Sequence, residues 1–195
     1  MLELGYHDVP AGHTASIVTH LQMQSQAPAR PEATLPLKLE RVTTPDVHWY
    51  RALFRLVGAD HLWFGRLTQT DDELAAILSN PLVHIYRLVD GAKEVGLLEL
   101  DFRQPNDCEL AYFCLAASHV GGGAGRWLMN RAIKLAWAES IDRFHVHTCT
   151  LDHPKALDFY IRSGFTPYKR QIEIEQDPRA LGLLPKTAAP HIPII

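Results

Sequence analysis

The chain of 195 residues is long enough for one domain with a full hydrophobic core, and its 47% apolar and 21% charged content is typical of globular proteins. Its net charge of −3, from 19 basic and 22 acidic residues, excludes a general electrostatic footprint for nucleic acid or an anionic membrane. No apolar run approaches the roughly 18 residues of a membrane-spanning helix, so none is expected.

Three cysteines, Cys108, Cys114 and Cys149, are an odd number at wide spacing, without a CxxC pair. This usage predicts no disulfide framework and favours a reducing, cytoplasmic location. Residues 1–13 lack a basic segment followed by an apolar one, so the sequence does not predict a signal peptide.

Residues 1–34 are predicted to be an extension. The segment Thr14–Gln24 has the alternation of a strand, and Ala27–Pro36 carries three prolines, which are typical of a linker. We interpret the strand as an addition to the edge of a sheet, and a dimer contact is the alternative. The residues predicted on one face of this strand are Ala15, Ile17, Thr19 and Leu21.

Two helices are predicted in the next part of the chain. Thr43 or Thr44 is expected to cap a helix that runs to about Val57. Thr70 is expected to cap a helix over Asp71–Leu78, with Glu73 placed for a capping box. Alternating segments predict the strands Leu37–Val42, Val83–Val89, Glu94–Phe102, Phe144–Thr150 and Tyr168–Glu175.

A glycine-rich junction lies in Cys108–Leu128. An apolar strand, Leu110–Ala116, is followed by three glycines at positions 121–123, by Gly125, and by a helical pattern to about Ser140. Such a junction directs unpaired backbone N–H groups and the positive end of a helix dipole at one small volume. A phosphate or pyrophosphate is the ligand that this geometry favours, and a tight turn that binds nothing is the alternative.

Two common phosphate-binding motifs do not fit this junction. A P-loop requires Gly-Lys-Ser/Thr, whereas Arg126 and Trp127 follow Gly125. The glycines also lack the GxGxxG spacing of a dinucleotide fingerprint, and no acidic residue lies about 20 positions downstream to hold a ribose.

A second motif lies in Asp152–Phe165. Asp152 is expected to cap a helix with Pro154 in its first turn, and Gly164 suits the position after its end. Helical spacing relates Ala156, Leu157, Tyr160 and Ile161.

Together the two motifs resemble the GNAT superfamily of acyl-CoA-dependent N-acyltransferases, over about Leu37–Glu175. The family's Arg/Gln-x-x-Gly-x-Gly/Ala motif falls on Val120, Gly123 and Gly125, and Val120 departs from it. In the family's Asn-x-x-Ala, tyrosine and Gly-Phe pattern, His153 stands where the family usually has Asn. The pattern falls on His153, Ala156, Tyr160, Gly164 and Phe165.

A meander followed by strand–helix–strand–helix–strand predicts a mixed sheet with helices on both faces. This matches the fold that the resemblance implies: a single α/β (α+β) domain over residues 35–176, with a mostly antiparallel sheet splayed beside a CoA site. Residues 177–195 are expected to form a proline-containing tail that wraps the surface or meets a partner.

The resemblance implies acetyl-CoA as acyl donor and no metal. Phe113, Cys114 and Leu115 would offer backbone groups to the pantetheine arm, and the glycine junction would hold the pyrophosphate. The implied cofactor residues of the junction and of the second motif are Val120, Gly121, Gly122, Gly123, Ala124, Gly125, Arg126, His153, Ala156 and Tyr160. Trp63 and Phe64 either line the acceptor pocket or pack in the core.

Acyl transfer needs a base for the amine and an acid for the thiolate that leaves. Tyr160 matches the family's general-acid tyrosine, and a tyrosine that only packs is the alternative. Glu109, at the start of the central strand, is the first candidate for the base, unless it is a solvated strand-end carboxylate. Glu99 and Asp101 alternate on the preceding strand and are competing candidates.

The spacing of His145, His147, Cys149 and His153 suggests a metal site, which would make the chain a metal hydrolase. Side chains at i and i+2 of a strand are about 7 Å apart, however, so ligands from elsewhere would be required. The alternatives are polar groups within the sheet or one histidine as the general base. Cys114 and Cys149 are interpreted as small core residues.

The sequence therefore predicts an N-acyltransferase, most simply an N-acetyltransferase, that transfers an acyl group directly to an amine of a small molecule or protein. It would act without nucleic acid or membrane, as a monomer or homodimer. The alternative function is a non-catalytic acyl-CoA-binding or sensing domain of the same fold.

Overall fold

Seven strands form one sheet in the computed structural model, which describes residues 3–195. They are β1 (His13–Met23), β2 (Leu37–Arg41), β3 (Val83–Asp90), β4 (Lys93–Asp101), β5 (Asp107–Leu115), β6 (Arg143–Cys149) and β7 (Thr166–Gln176). Their order is β2-β3-β4-β5-β6-β1-β7. Only β5 and β6 pair in parallel, and every other neighbouring pair is antiparallel.

Helices cover both faces of this sheet. They are α1 (Val47–Gly58), α2 (Asp71–Leu78), α3 (Ala124–Ala136) and α4 (Ala156–Arg162). One buried cluster contains the inner face of α3, including Leu128 and Ala132, and the other contains the inner faces of α1 and α2, including Phe54 and Leu74. The predicted mixed sheet with helices on both faces is confirmed.

The capping box of α2 is confirmed, but the helix boundaries elsewhere differ from expectation. The hydroxyl of Thr70 accepts from the amide of Glu73, whose carboxylate accepts in return from the amide of Thr70. Asp46, rather than Thr43 or Thr44, caps α1, because its carboxylate reaches the amide of Trp49 at 2.9 Å. Helix α3 ends at Ala136, four residues before the predicted Ser140.

The extension strand β1 lies inside the sheet, so its prediction as an edge strand was wrong. Its residues Val18–Met23 pair with β6 on one side, and most of its length pairs with β7 on the other. Side chains on both faces of β1 are buried, including Val18 and Leu21. Over residues 18–22, where both edges of β1 are paired, the strand offers no edge for a dimer contact.

The segments that flank the central domain both pack against it. Residues 24–36 run beside α3, where the side-chain amide of Asn130 bonds to the backbone of Arg30. In the tail, Leu184, Ala188 and Ala189 are buried in the cluster of α1 and α2. None of the helices formed by residues 3–195 has the length and apolar character of a transmembrane helix.

Candidate active site

The sheet is split between its two parallel strands. Pairing of β5 with β6 covers only Asp107–Glu109 and Arg143–His145. The next residues of both strands line a cavity of about 680 Å³, a volume in the range of small-molecule sites. This cavity extends to the glycine junction and to α4.

The glycine junction presents free amides at the cavity. Gly123 precedes α3 with a φ of 91°, and no side chain caps the helix. The first helical hydrogen bond runs from the amide of Trp127 to the carbonyl of Gly123, at 3.0 Å. The preceding amides, of Ala124, Gly125 and Arg126, therefore have no acceptor within the helix, and they lie at the positive end of its dipole.

Most of the predicted cofactor residues lie together at this cavity. Those that line it are Phe113, Cys114, Leu115, Val120, Gly121, Gly123, Gly125, Arg126, His153, Ala156 and Tyr160. Two others do not line it, since Gly122 is exposed outside it and the methyl group of Ala124 is buried in the core.

Three arginines line the same end of the cavity, and two of them were missed from the sequence. Arg30 comes from the proline-containing linker, Arg126 from α3 and Arg162 from α4. Partial burial, with the positive charges of Arg126 and Arg162 nearby, lowers the pKa of Arg30. A cationic group whose charge is penalised in this way favours an anionic ligand. The place of Arg30 at the cavity is known only from the folded path of the linker, because the sequence around it carries no motif.

Helix α4 begins later than predicted, at Ala156, and Asp152 does not cap it. The carboxylate of Asp152 instead accepts from the hydroxyl of Thr148 at 2.7 Å and from the amide of Cys149 at 3.0 Å. These bonds hold the loop that follows β6. Leu157 and Ile161, which share the helical spacing of Tyr160, are 37% and 43% exposed, so α4 buries little besides Tyr160.

Tyr160 lies at the junction of the core and the cavity. Its ring packs edge-to-face with Phe113, Phe159 and Phe165, at centroid distances of 6.3, 5.6 and 5.9 Å. Burial raises the pKa of Tyr160, so its hydroxyl stays protonated across the physiological pH range.

His147 and Glu109 form a pair across the mouth of the split. The Nδ1 atom of His147 lies 3.5 Å from the Oε1 atom of Glu109, and His147, not Glu109, lines the cavity. Because the imidazole donates to the carboxylate of Glu109, the pKa of His147 is raised and the pKa of Glu109 is lowered. The imidazole is therefore the member of the pair that faces the cavity.

The competing carboxylates are engaged elsewhere. Glu99 is fully buried, and its two oxygens accept from Arg66 and from the hydroxyl of Tyr50. Asp101 forms a bidentate pair with Arg103, whose Nε and Nη2 atoms donate to different carboxylate oxygens. Neither carboxylate lines the cavity, so the geometry does not favour either as a base.

Two cysteines of the site have thiols whose pKa is raised by burial. Burial raises the pKa of Cys114 to about 12, and its thiol donates to the carbonyl of Val57 at 3.0 Å. Burial also raises the pKa of Cys149. Within residues 3–195, no group of three His, Cys, Asp or Glu side chains is close enough to hold a metal ion.

Aromatic and acidic side chains line the part of the cavity beside α1. Trp63 and Phe64 lie here, and the indole N–H of Trp63 donates to the carboxylate of Asp152 at 3.1 Å. Trp63 also packs on the α1 cluster, so the pocket and core interpretations both hold for it. Glu173 and Glu175 of β7 complete the lining, and their contribution was missed because β7 reaches the site only through β1.

The geometry of a split sheet beside a glycine-started helix agrees with the comparison of the sequence with known families. The model of the Acetyltransferase (GNAT) family matches residues 47–165, which is more than half of the chain. The chain therefore belongs to the GNAT acetyltransferase family. No curated protein matched its sequence.

Solved structures of similar fold are distant in sequence. A GCN5-related N-acetyltransferase from Sphaerobacter thermophilus is 11% identical with a TM-score of 0.63, over 85% of this chain and 53% of that one, so the chain spans about half its length. An acetyltransferase from Thermus thermophilus is 22% identical with a TM-score of 0.53, over 72% and 97%. An aminoglycoside acetyltransferase from an uncultured soil metagenomic sample is 19% identical with a TM-score of 0.54, over 65% and 86%.

Proposed function

We propose that this chain is an acetyl-CoA-dependent N-acetyltransferase that transfers the acetyl group directly to an amine of a small molecule or protein. The observation that carries the proposal is the split between β5 and β6, which opens onto the free amides of the glycine junction. An elongated donor with phosphates at one end and a thioester at the other suits such a cavity.

The donor would be held along the cavity by three sets of groups. Its phosphates would bind the amides of Ala124, Gly125 and Arg126, with the guanidinium groups of Arg30 and Arg162 supplying charge. Arg30 would thus contribute the positive charge that Val120 does not provide. The pantetheine arm would lie along residues 113–115 of β5, on the edge toward β6, where these residues do not pair with β6.

The proposed chemistry uses His147 and Tyr160. Neutral His147 would accept a proton from the acceptor amine, with Glu109 as a positioning residue that holds the imidazole. The amine nitrogen would form its bond to the acetyl carbon, and the carbon–sulfur bond would break. Tyr160 would give its proton to the departing thiolate and become a phenolate. The proton on protonated His147 would then pass through solvent to the Tyr160 oxygen, so both residues return to their starting states after one turnover.

The acceptor would enter on the side of Trp63 and the β7 carboxylates. Glu173 would favour cationic amines there, since opposite charges attract and raise the local substrate concentration. The soil metagenomic protein of similar fold was also solved with sisomicin, which supports including aminoglycosides in an acceptor screen.

Calorimetric titration with acetyl-CoA, with dephospho-CoA and NADH as controls, tests the donor site first. Saturable binding of acetyl-CoA without binding of NADH is the expected result, and no binding of acetyl-CoA contradicts the proposal. A screen of amines for CoA release follows. Binding without turnover of any amine in the screen would favour the alternative function, a non-catalytic acyl-CoA-binding domain.

A further inference from the structure

The outer edge of β7 is long and open. This strand of 11 residues lies at one end of the sheet, and all of its residues are exposed. Its backbone pairs with β1 on one side only, and no strand formed by residues 3–195 pairs with the other side. An open strand edge presents unpaired N–H and C=O groups that can pair with another chain.

The opposite end of the sheet lacks this feature. There β2 has only five residues and follows Pro36, and short edge strands next to proline are a common protection against pairing. The exposure of β7 is therefore not a general property of the edges of this sheet.

Apolar side chains add to the open edge. Ile172 and Ile174 lie on the same face of β7 and are 46% and 45% exposed. They neighbour Ile17 and Ala15 of β1, which are half-buried and exposed, respectively. Contact with another strand would remove part of this apolar surface from water.

The charges of β7 are separated by sign along the strand. Lys169 and Arg170 lie in its first half, and Glu173 and Glu175 lie in its second half. Edge charges of a single sign would repel a second copy of the same strand. Two-fold symmetry reverses the strand direction, so it brings the basic half of one copy opposite the acidic half of the other.

We propose that β7 pairs antiparallel with β7 of a second copy of this chain, about a two-fold axis at Ile172, which joins the two sheets. Residues directly opposite in an antiparallel pair lie on the same face, and Lys169 and Glu175 share a face of β7. Lys169 of each copy then lies opposite Glu175 of the partner subunit, twice per dimer. Ile172 lies opposite its own symmetry mate.

Sedimentation equilibrium of the full chain tests this dimer. A species of twice the 21.9 kDa chain mass that dissociates on dilution is expected. A monomer at every concentration from micromolar to near-millimolar overturns the proposal.

A charge-exchange series tests the register. Lys169→Glu and Glu175→Lys should each weaken association at least about tenfold, because each places like charges opposite one another. The double variant should restore it to within about threefold of the original, because the pairs re-form with reversed sign. Lys186→Glu, the same charge change at an exposed tail position, should leave association unchanged.

Single variants that leave a dimer intact, or a double variant that stays monomeric, overturn the proposed interface. Thermal unfolding of each variant checks that it is folded, which is expected because these side chains are exposed. Ile172→Cys gives an independent measurement, since two thiols at the axis should form a cross-linked dimer on mild oxidation, whereas Lys186→Cys should not.

Discussion

Asn130 on α3 binds the backbone of Arg30 at both polar groups, accepting from its amide at 3.0 Å and donating to its carbonyl at 2.8 Å. The two residues are 100 positions apart, and Asn130 lies less than two turns from the glycine junction. The linker is therefore fixed to the helix whose N-terminus faces the cavity. Its arginine is brought to the end of the cavity where we propose the donor phosphates bind.

Arg30→Ala should raise the dissociation constant of acetyl-CoA about 10- to 100-fold, since hydrogen bonds to charged groups contribute about 1.5–3 kcal/mol. Calorimetric titration measures this, and the loss should shrink at high salt. Arg55→Ala removes an exposed arginine of α1 outside the cavity and is the matched control. Equal affinities for the Arg30 and Arg55 variants would remove Arg30 from the donor site.

Gly125→Val should abolish measurable binding of acetyl-CoA while the chain stays folded. A Cβ at Gly125 would lie 3.7 Å from the Phe159 ring and 3.9 Å from Leu115, both of which line the cavity, so the added methyl groups narrow it. Gly122→Ala is the control, because Gly122 lies outside the cavity and its Cβ would meet open space. Normal binding by the Gly125 variant would contradict the position of the donor.

Local signals in the sequence predicted the elements that depend on neighbouring residues. The capping box of Thr70 and Glu73 and the glycine start of α3 were predictable because each is complete within a few residues. Asp152 shows the limit of such signals. It has the side chain and the position of a helix cap, yet Thr148 and Cys149 bind its carboxylate instead, and the sequence does not rank these partners.

The pairing of strands that are distant in sequence could not be predicted from the sequence. The residues of β1 do not indicate that it pairs with β6 on one side and β7 on the other, because strand order depends on the whole sheet. The same holds for Arg30, whose role follows from the path of a linker without motif, and for Glu173 at the cavity. The residues of the two family motifs were predictable, whereas residues delivered by the extension and the last strand were not.

Tyr160→Phe should lower turnover about 100-fold or more and leave the affinity for acetyl-CoA nearly unchanged, since general acid catalysis contributes about 10²–10⁴. The phenyl ring keeps the packing on Phe113 and Phe165, so the fold should be retained. Steady-state turnover and calorimetry together measure the two effects. A variant with normal turnover would leave Tyr160 only a packing role.

The rate should rise with pH through the raised pKa of His147, because only the neutral imidazole can accept a proton from the amine. Glu109→Gln removes the carboxylate that holds this pKa up, so the rise should move to lower pH. His147→Gln should lose the rise itself. The pH dependence of kcat/KM measures both, and a profile that neither variant changes would point to another base. Glu40→Gln, at a carboxylate of β2 that pairs with Arg87 outside the cavity, is the control.

Arg179→Met should lower the free energy of unfolding by about 3–5 kcal/mol, the cost of breaking a buried ion pair. Arg179 and Asp177 have side chains 1% and 2% exposed, and Arg179 also donates to the carbonyls of Ala188, Ala189 and Ile192. The variant removes this donor from the three tail carbonyls and leaves the buried Asp177 carboxylate without its charged partner. Urea unfolding measures the loss.

The same pair gives this stability a pH dependence. Arg179 lowers the pKa of Asp177, so the stabilisation is present above the ordinary aspartate pKa of 3.8 and is lost as the pH falls through the lowered value. In the Arg179 variant, the free energy of unfolding should no longer show this fall at acid pH. Asp177→Leu with Arg179→Met should recover part of the loss at neutral pH, because no charge then remains buried. Arg55→Met is the control and should change the free energy of unfolding by less than about 0.5 kcal/mol, as expected of an exposed position. A similarly small change for Arg179→Met would show that the pair of Arg179 and Asp177 does not stabilise the tail.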